Sequence, residues 1–172
     1  MSRLVGVVGS RSLPGPYSLL VHTVVSLLSA QGYGIASGGA SGADAFALSS
    51  LLGRGIAPRS VLFSAWLSIS GFPVAVRPQV YRFLASGGQV VWGSASPGAP
   101  RHQVVSALLG RNQRLVSSSS ALVAFLHGES RGSLFTVRQA VARGIPVIVF
   151  LCGGSAVLPA DLSAHCHVMD FN

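Results

Sequence analysis

The sequence predicts a three-layer α/β fold with a mainly parallel central sheet, and three observations carry the prediction. Short apolar runs rich in β-branched residues alternate with longer stretches of helical period. The later runs, Leu122–Leu126 and Pro146–Leu151, are apolar throughout, as strands covered on both faces require. Several runs end in turns of glycine, serine and other small residues, which in such sheets gather where ligands bind, beyond the carboxyl ends of the strands.

Leu4–Val8 reads as the first strand and ends at Gly9-Ser10-Arg11. Tyr17 to Ala30 is the first helix, because Leu19, Leu20, Val24, Leu27 and Leu28 recur at helical period and Gln31-Gly32 stops them. Gly34–Ser37 is the second strand and Ala43–Leu52 the second helix. Ser60–Ala65 forms a weaker strand, Val76 to Ala85 a helix closed by Gly87-Gly88, and Gln89–Trp92 another strand. A loop of small residues, Gly93 to Pro100, leads into a helix over Val104–Val116. Four serines, Ser117–Ser120, connect it to the strand Ala121–Leu126. A helix over Leu134–Ala142, the buried strand Pro146–Leu151 and a short edge strand within His165–Phe171 complete the chain. Strands separated by helices of this length make βαβ units, and hence a Rossmann-like domain spanning residues 1–172.

With 172 residues the chain can bury a full core. Its twelve basic residues are all arginine and face only four acids, a net charge of +8 that favours an anionic partner. The mean hydropathy is high, +0.58. It reflects many Ala, Val and Leu, and no run approaches the roughly 20 apolar residues of a membrane span, so no membrane partner is expected. The chain enters its first strand directly, without a signal-peptide pattern. Cys152 and Cys166 do not make a disulfide framework, so a reducing cytoplasm is the expected location.

The strongest local signal is Ser37–Asp44, SGGASGAD, lying between a strand and a helix. Gly38, Gly39 and Gly42 let the backbone approach a ligand closely, and the turn delivers the chain into a helix N-terminus that favours an anion. It has neither the GxGxxG spacing of dinucleotide sites nor the Gly-Lys-Ser/Thr ending of P-loops. Asp44 either receives a ribose hydroxyl or fixes the turn through backbone N–H groups. Gly9, Ser10 and Arg11 end the first strand at the same edge, where Arg11 is placed to grip a phosphate. Ser130-Arg131-Gly132-Ser133 precedes a helix and offers amides to a second phosphate or, more plainly, an ordinary serine cap. Arg111 and Arg114 lie three apart beside Asn112, the usual pattern of a solvated basic face. His165-Cys166-His167 has no metal-site geometry, because adjacent side chains on a strand diverge. Trp66, Phe72, Tyr81 and Trp92 are read as packing residues.

Four segments together resemble the SLOG superfamily of Rossmann-like proteins, which includes the DNA-processing protein DprA, the YAcAr group and the LOG nucleotide hydrolases. They are VGVVGSRS at 5–12, SGGASGADAFA at 37–47, RNQRLV at 111–116 and ESRGSLFTVRQAVARGIPVIVF at 129–150. Arg131-Gly132-Ser133-Leu134 with Thr136 is most similar to DprA, in which the matching segments line a basic pocket for single-stranded DNA. The resemblance implies a pocket of Gly9, Ser10, Arg11, Ser37, Gly38, Gly42, Asp44, Arg111, Asn112, Gly132 and Ser133, beside which Gly39, Arg114 and Thr136 are further candidates. DprA has Arg and His where this chain has Ser41 and Leu48, and GGASGAD and RNQR are closer to the YAcAr group. The LOG hydrolases need a Glu where this chain has Thr136, and a threonine neither acts as a carboxylate base nor stabilises an oxocarbenium-like charge.

The resemblance therefore implies binding of single-stranded DNA in DNA processing or recombination, without catalytic residues. The alternative is a pocket for a small nucleotide or nucleotide derivative, serving as sensor, carrier or phosphoribohydrolase. No cofactor or metal is expected. A homodimer is expected by family analogy.

Overall fold

The computed structural model describes residues 3–172, and its strands follow the predicted order. Seven of them, β1 (Leu4–Gly9), β2 (Gly34–Ser37), β3 (Val61–Phe63), β4 (Gln89–Val91), β5 (Ala121–Leu126), β6 (Val147–Leu151) and β7 (His167–Asp170), form one sheet in the order β4-β3-β2-β1-β5-β6-β7. Every pairing is parallel. The helices are α1 (Ser18–Ala30), α2 (Ala43–Gly53), α3 (Arg77–Ala85), α4 (Arg101–Ser118), α5 (Arg131–Arg143) and the short α6 (Ala160–Ser163), which the sequence pattern does not predict.

Alternation along each strand sorts the core into two clusters, one per face of the sheet. Val5 and Val7 of β1, Ile35 of β2 and Val123 and Phe125 of β5 pack with Val21 and Val25 of α1, Leu48 and Leu51 of α2, and Val80 and Phe83 of α3. Val8, Ala36, Leu122, Ala124 and Val149 point the other way, onto Leu115 and Val116 of α4 and Val137 and Ala140 of α5. Cys152 is fully buried in the first cluster, where burial pushes its thiol up to about 11.

Two helix starts and one face differ most from those the sequence predicts, while other boundaries shift by one or two residues. Helix α4 begins at Arg101 and α5 at Arg131, each three residues earlier than the apolar period alone indicates, because their first turns carry polar or small residues. On α1, Leu19 and Leu27 are 72% and 63% exposed, so the packed stripe is Leu20, Val21, Val24, Val25 and Leu28. At 100° per residue, positions 19 and 27 point away from the Val21–Val25 face. Among the described residues no helix is long and apolar enough to cross a membrane, and no three His, Cys, Asp or Glu side chains gather to hold a metal ion.

Candidate functional site

The strand order reverses between β1 and β5, because β2 and β5 flank β1 on opposite sides. At such a switch point the loops leaving neighbouring strands diverge and open a crevice at the carboxyl edge. A cleft of about 550 Å³ lies there, walled by the β1 end, the β2–α2 turn, α4 and the first turns of α5. It gathers Gly9, Ser10, Arg11, Gly38, Asp44, Arg111, Asn112, Gly132, Ser133 and Thr136 from segments far apart in the chain.

Arg111 is the centre of this arrangement. It is only 7% exposed, and its Nη1 donates to the Gly38 carbonyl oxygen at 2.7 Å. Its buried Nε has no acceptor. A cation with so few internal partners is expensive to bury unless an anion completes its shell. Gly38 leaves the room the guanidinium occupies: a Cβ there would stand 1.8 Å from Arg111 Nη1.

Asp44, 5% exposed in the first turn of α2, accepts from the Ala40 N–H at 3.2 Å. Burial raises its carboxyl above the ordinary aspartate value, against opposing pulls from Arg111, the Ala40 and Gly38 amides and Arg11. Burial also lowers the Arg111 value, while Asp44 acts to raise it. Arginine nevertheless stays charged in proteins. Because the native state holds the Asp44 proton to higher pH than the unfolded chain, this residue's contribution to stability is lost as pH rises through its native value. Asp44→Asn is expected to remove that component. The difference in melting temperature between wild type and variant, followed from acidic to neutral pH, checks it. A flat difference overturns the assignment.

Arg11 is exposed in the cleft and makes no hydrogen bond among the described residues. Ser10 serves the fold: its Oγ donates to the His127 carbonyl oxygen at 3.1 Å and accepts from the His127 N–H at 2.8 Å, tying the ends of β1 and β5 together. On the opposite wall, the Ser130 hydroxyl donates to Ser133 Oγ at 2.8 Å and Thr136 Oγ1 donates to the Gly132 carbonyl oxygen at 3.0 Å. The Arg131, Gly132 and Ser133 amides open α5 and have no intrahelical acceptors, so an anion is favoured beside them. The cleft holds three arginines and two carboxylates; Glu129 pairs with Arg131, and Asp44 lies beside Arg111.

Four predicted residues lie outside the cleft lining. Ser37 is fully buried, with an unpartnered hydroxyl, at the end of β2. Gly39 takes φ +67° against the Phe72 ring, and Gly42 takes φ +71° beneath the backbone of Ser10 and Arg11. Arg114 turns to the other side of α4, where Nη1 and Nη2 donate to the carbonyl oxygens of Trp92 at 3.0 Å and Ser64 at 2.8 Å. It therefore braces the ends of β3 and β4 along a separate groove of about 1250 Å³. Three residues of helix put it about 60° from Arg111, and the boundary between the two clefts falls within that angle. Sequence reasoning missed Val105, Leu108 and Leu109, which wall the cleft from the N-terminal half of α4. Their 105/108/109 spacing is a readable signal, but a core-facing helix stripe has the same period.

The fold is similar to that of DNA processing protein A from Helicobacter pylori, a protein described as binding single-stranded DNA, with a TM-score of 0.77 and 18% identity over 99% of this chain and 76% of that one. DNA processing protein A from Streptococcus pneumoniae gives a TM-score of 0.71 at 18% identity, over 98% of this chain and 58% of that one. This chain thus spans little more than half of the pneumococcal protein. The molybdenum cofactor binding protein from Rippkaea orientalis follows the same course, with a TM-score of 0.68 at 16% identity over 98% of this chain and 89% of that one. Identities this low establish a common fold and leave the ligand open. A comparison with curated proteins finds no match. The profile of the family described as DNA recombination-mediator protein A matches residues 1–167, a stretch that takes in every wall of the cleft, and the chain belongs to that family.

Proposed function

We propose that this chain binds single-stranded DNA, taking backbone phosphates into the cleft between β1 and β5 without breaking a bond. The observation that carries the reading is Arg111: buried, held by one carbonyl, with an Nε that has no acceptor. Arg11 and the opening amides of α5 add two further anion contacts on the same cleft. Family membership supports a role in DNA processing, and the net charge of +8 favours association with a polyanion. Asp44 accepts from a backbone amide, Glu129 pairs with Arg131, and Thr136 stands where the LOG hydrolases have a Glu, so the reading includes no carboxylate base.

Titration of a fluorescent oligo-dT is the direct test. With two to three phosphates engaged, log K should fall with log salt at a slope of about −1.4 to −2.1, so raising salt from about 50 to 200 mM weakens binding roughly seven- to eighteenfold. Absence of binding at low salt, or affinity indifferent to salt, sinks the proposal. A cleft of about 550 Å³ also fits a small nucleotide, as the alternative reading requires. A thermal shift with AMP or ADP-ribose in a protein that ignores oligo-dT would favour that reading.

A further inference from the structure

The N-terminal half of α4 is built unlike the rest of the helix. Its buried residues are Arg111, Asn112, Leu115 and Val116, all in the last eight positions, and none of the first ten is buried. The helix starts just after β4 and runs back over the sheet, so these first turns stand above the carboxyl edge and clear of the core. Even so, three aliphatic side chains at helical spacing, Val105, Leu108 and Leu109, line the cleft. Val105 is 44% and Leu109 36% exposed. Solvent-facing aliphatics grouped on one wall of a cleft, next to its cationic end, offer an apolar surface that a ligand in the cleft would cover.

Resting on the strand-binding reading above, we propose that the cleft takes a whole nucleotide unit: its phosphate lies at Arg11, Arg111 and the α5 amides, and its base lies on the Val105–Leu108–Leu109 wall. From Val105 to Asn112 the helix advances about 10 Å, which separates an apolar end of the cleft from a cationic one. The wall has no hydrogen-bond donor or acceptor in its side chains, so it holds any base by burying apolar surface and distinguishes none by its edge. Strand affinity then depends on the presence of a base as well as on charge.

The experiment compares a fluorescent oligo-dT with an abasic strand of equal length and charge, on wild type and on a Val105→Ala/Leu109→Ala double variant. Both positions are exposed and alanine is the best helix former, so the variant keeps its fold, which a melting curve verifies. The wild type should bind the abasic strand about tenfold more weakly than oligo-dT. The variant should lose about fivefold on oligo-dT and nothing on the abasic strand, with its salt slope unchanged. Equal wild-type affinity for the two strands, or equal weakening of both by the double substitution, overturns the proposal. Binding of neither strand instead removes the phosphate reading beneath it, and the base contact falls with it.

Discussion

Arg111→Ala is expected to reduce affinity for oligo-dT by ten- to a hundredfold, the value of a charge-assisted contact of roughly 1.5–3 kcal/mol. It should also cost about 3 kcal/mol of stability, since Asp44 stays buried without the cation that opposes its desolvation. In a chain of this size that is a fall of roughly 10 °C in melting temperature. The loss should be smaller at acidic pH, where Asp44 takes up a proton and no longer needs a counter-charge. Gly38→Ala separates the two effects. Its Cβ would stand 1.8 Å from Arg111 Nη1 and 2.9 Å from Asp44 Oδ2, shifting the guanidinium off the Gly38 carbonyl while keeping a positive charge near the carboxylate. This variant should therefore lose binding with a smaller loss of stability. Calorimetry and fluorescence anisotropy on both variants check the pair. Unchanged oligo-dT affinity in Arg111→Ala would remove this residue from the site.

The second large effect is on folding. Gly42→Ala is expected to abolish soluble folded protein, or to lower stability by more than about 3 kcal/mol. Gly42 adopts φ +71° and ψ −126°, a conformation essentially confined to glycine, as the N-cap of α2. An added Cβ would also lie 2.3 Å from the Ser10 carbonyl oxygen and 2.5 Å from that of Arg11. Both contacts are with backbone, so neither can yield without moving the β1 end. Gly132→Ala is the control, because a Cβ there meets nothing within 4 Å and the residue lies in a helix. It should melt at or slightly above the wild-type temperature. Equal melting temperatures for Gly42→Ala and wild type would show that the turn is not a rigid joint.

Much of the candidate site is legible in the sequence because its parts are local. A glycine turn between a strand and a helix is written in consecutive residues, and Ser37–Asp44 needs no distant partner to be recognised. Ser10 is legible as a position but not in its role, since the His127 backbone groups that occupy its hydroxyl lie 117 residues away. Arg114 is illegible for a similar reason. Which flank of α4 faces which cleft depends on how the helix lies on the sheet, and helical period gives only angles between residues. The aliphatic wall of α4 is hidden by its likeness to a core stripe.

Local backbone preference and apolar period act over a few residues, and they are enough to set the α/β class and the position of the strands. They also set the chemistry available at the carboxyl edge: glycine turns, arginines and a single carboxylate in the SGGASGAD turn. Long-range packing alone places β1 between β2 and β5, so that Arg11, Gly38, Arg111 and Ser133 meet in one cleft. It also makes Arg114 brace the sheet instead. Burial does the sorting: with Asp44 and Gly38 on one side of α4 and the Trp92 and Ser64 carbonyls on the other, each arginine goes to the acceptors its flank can reach.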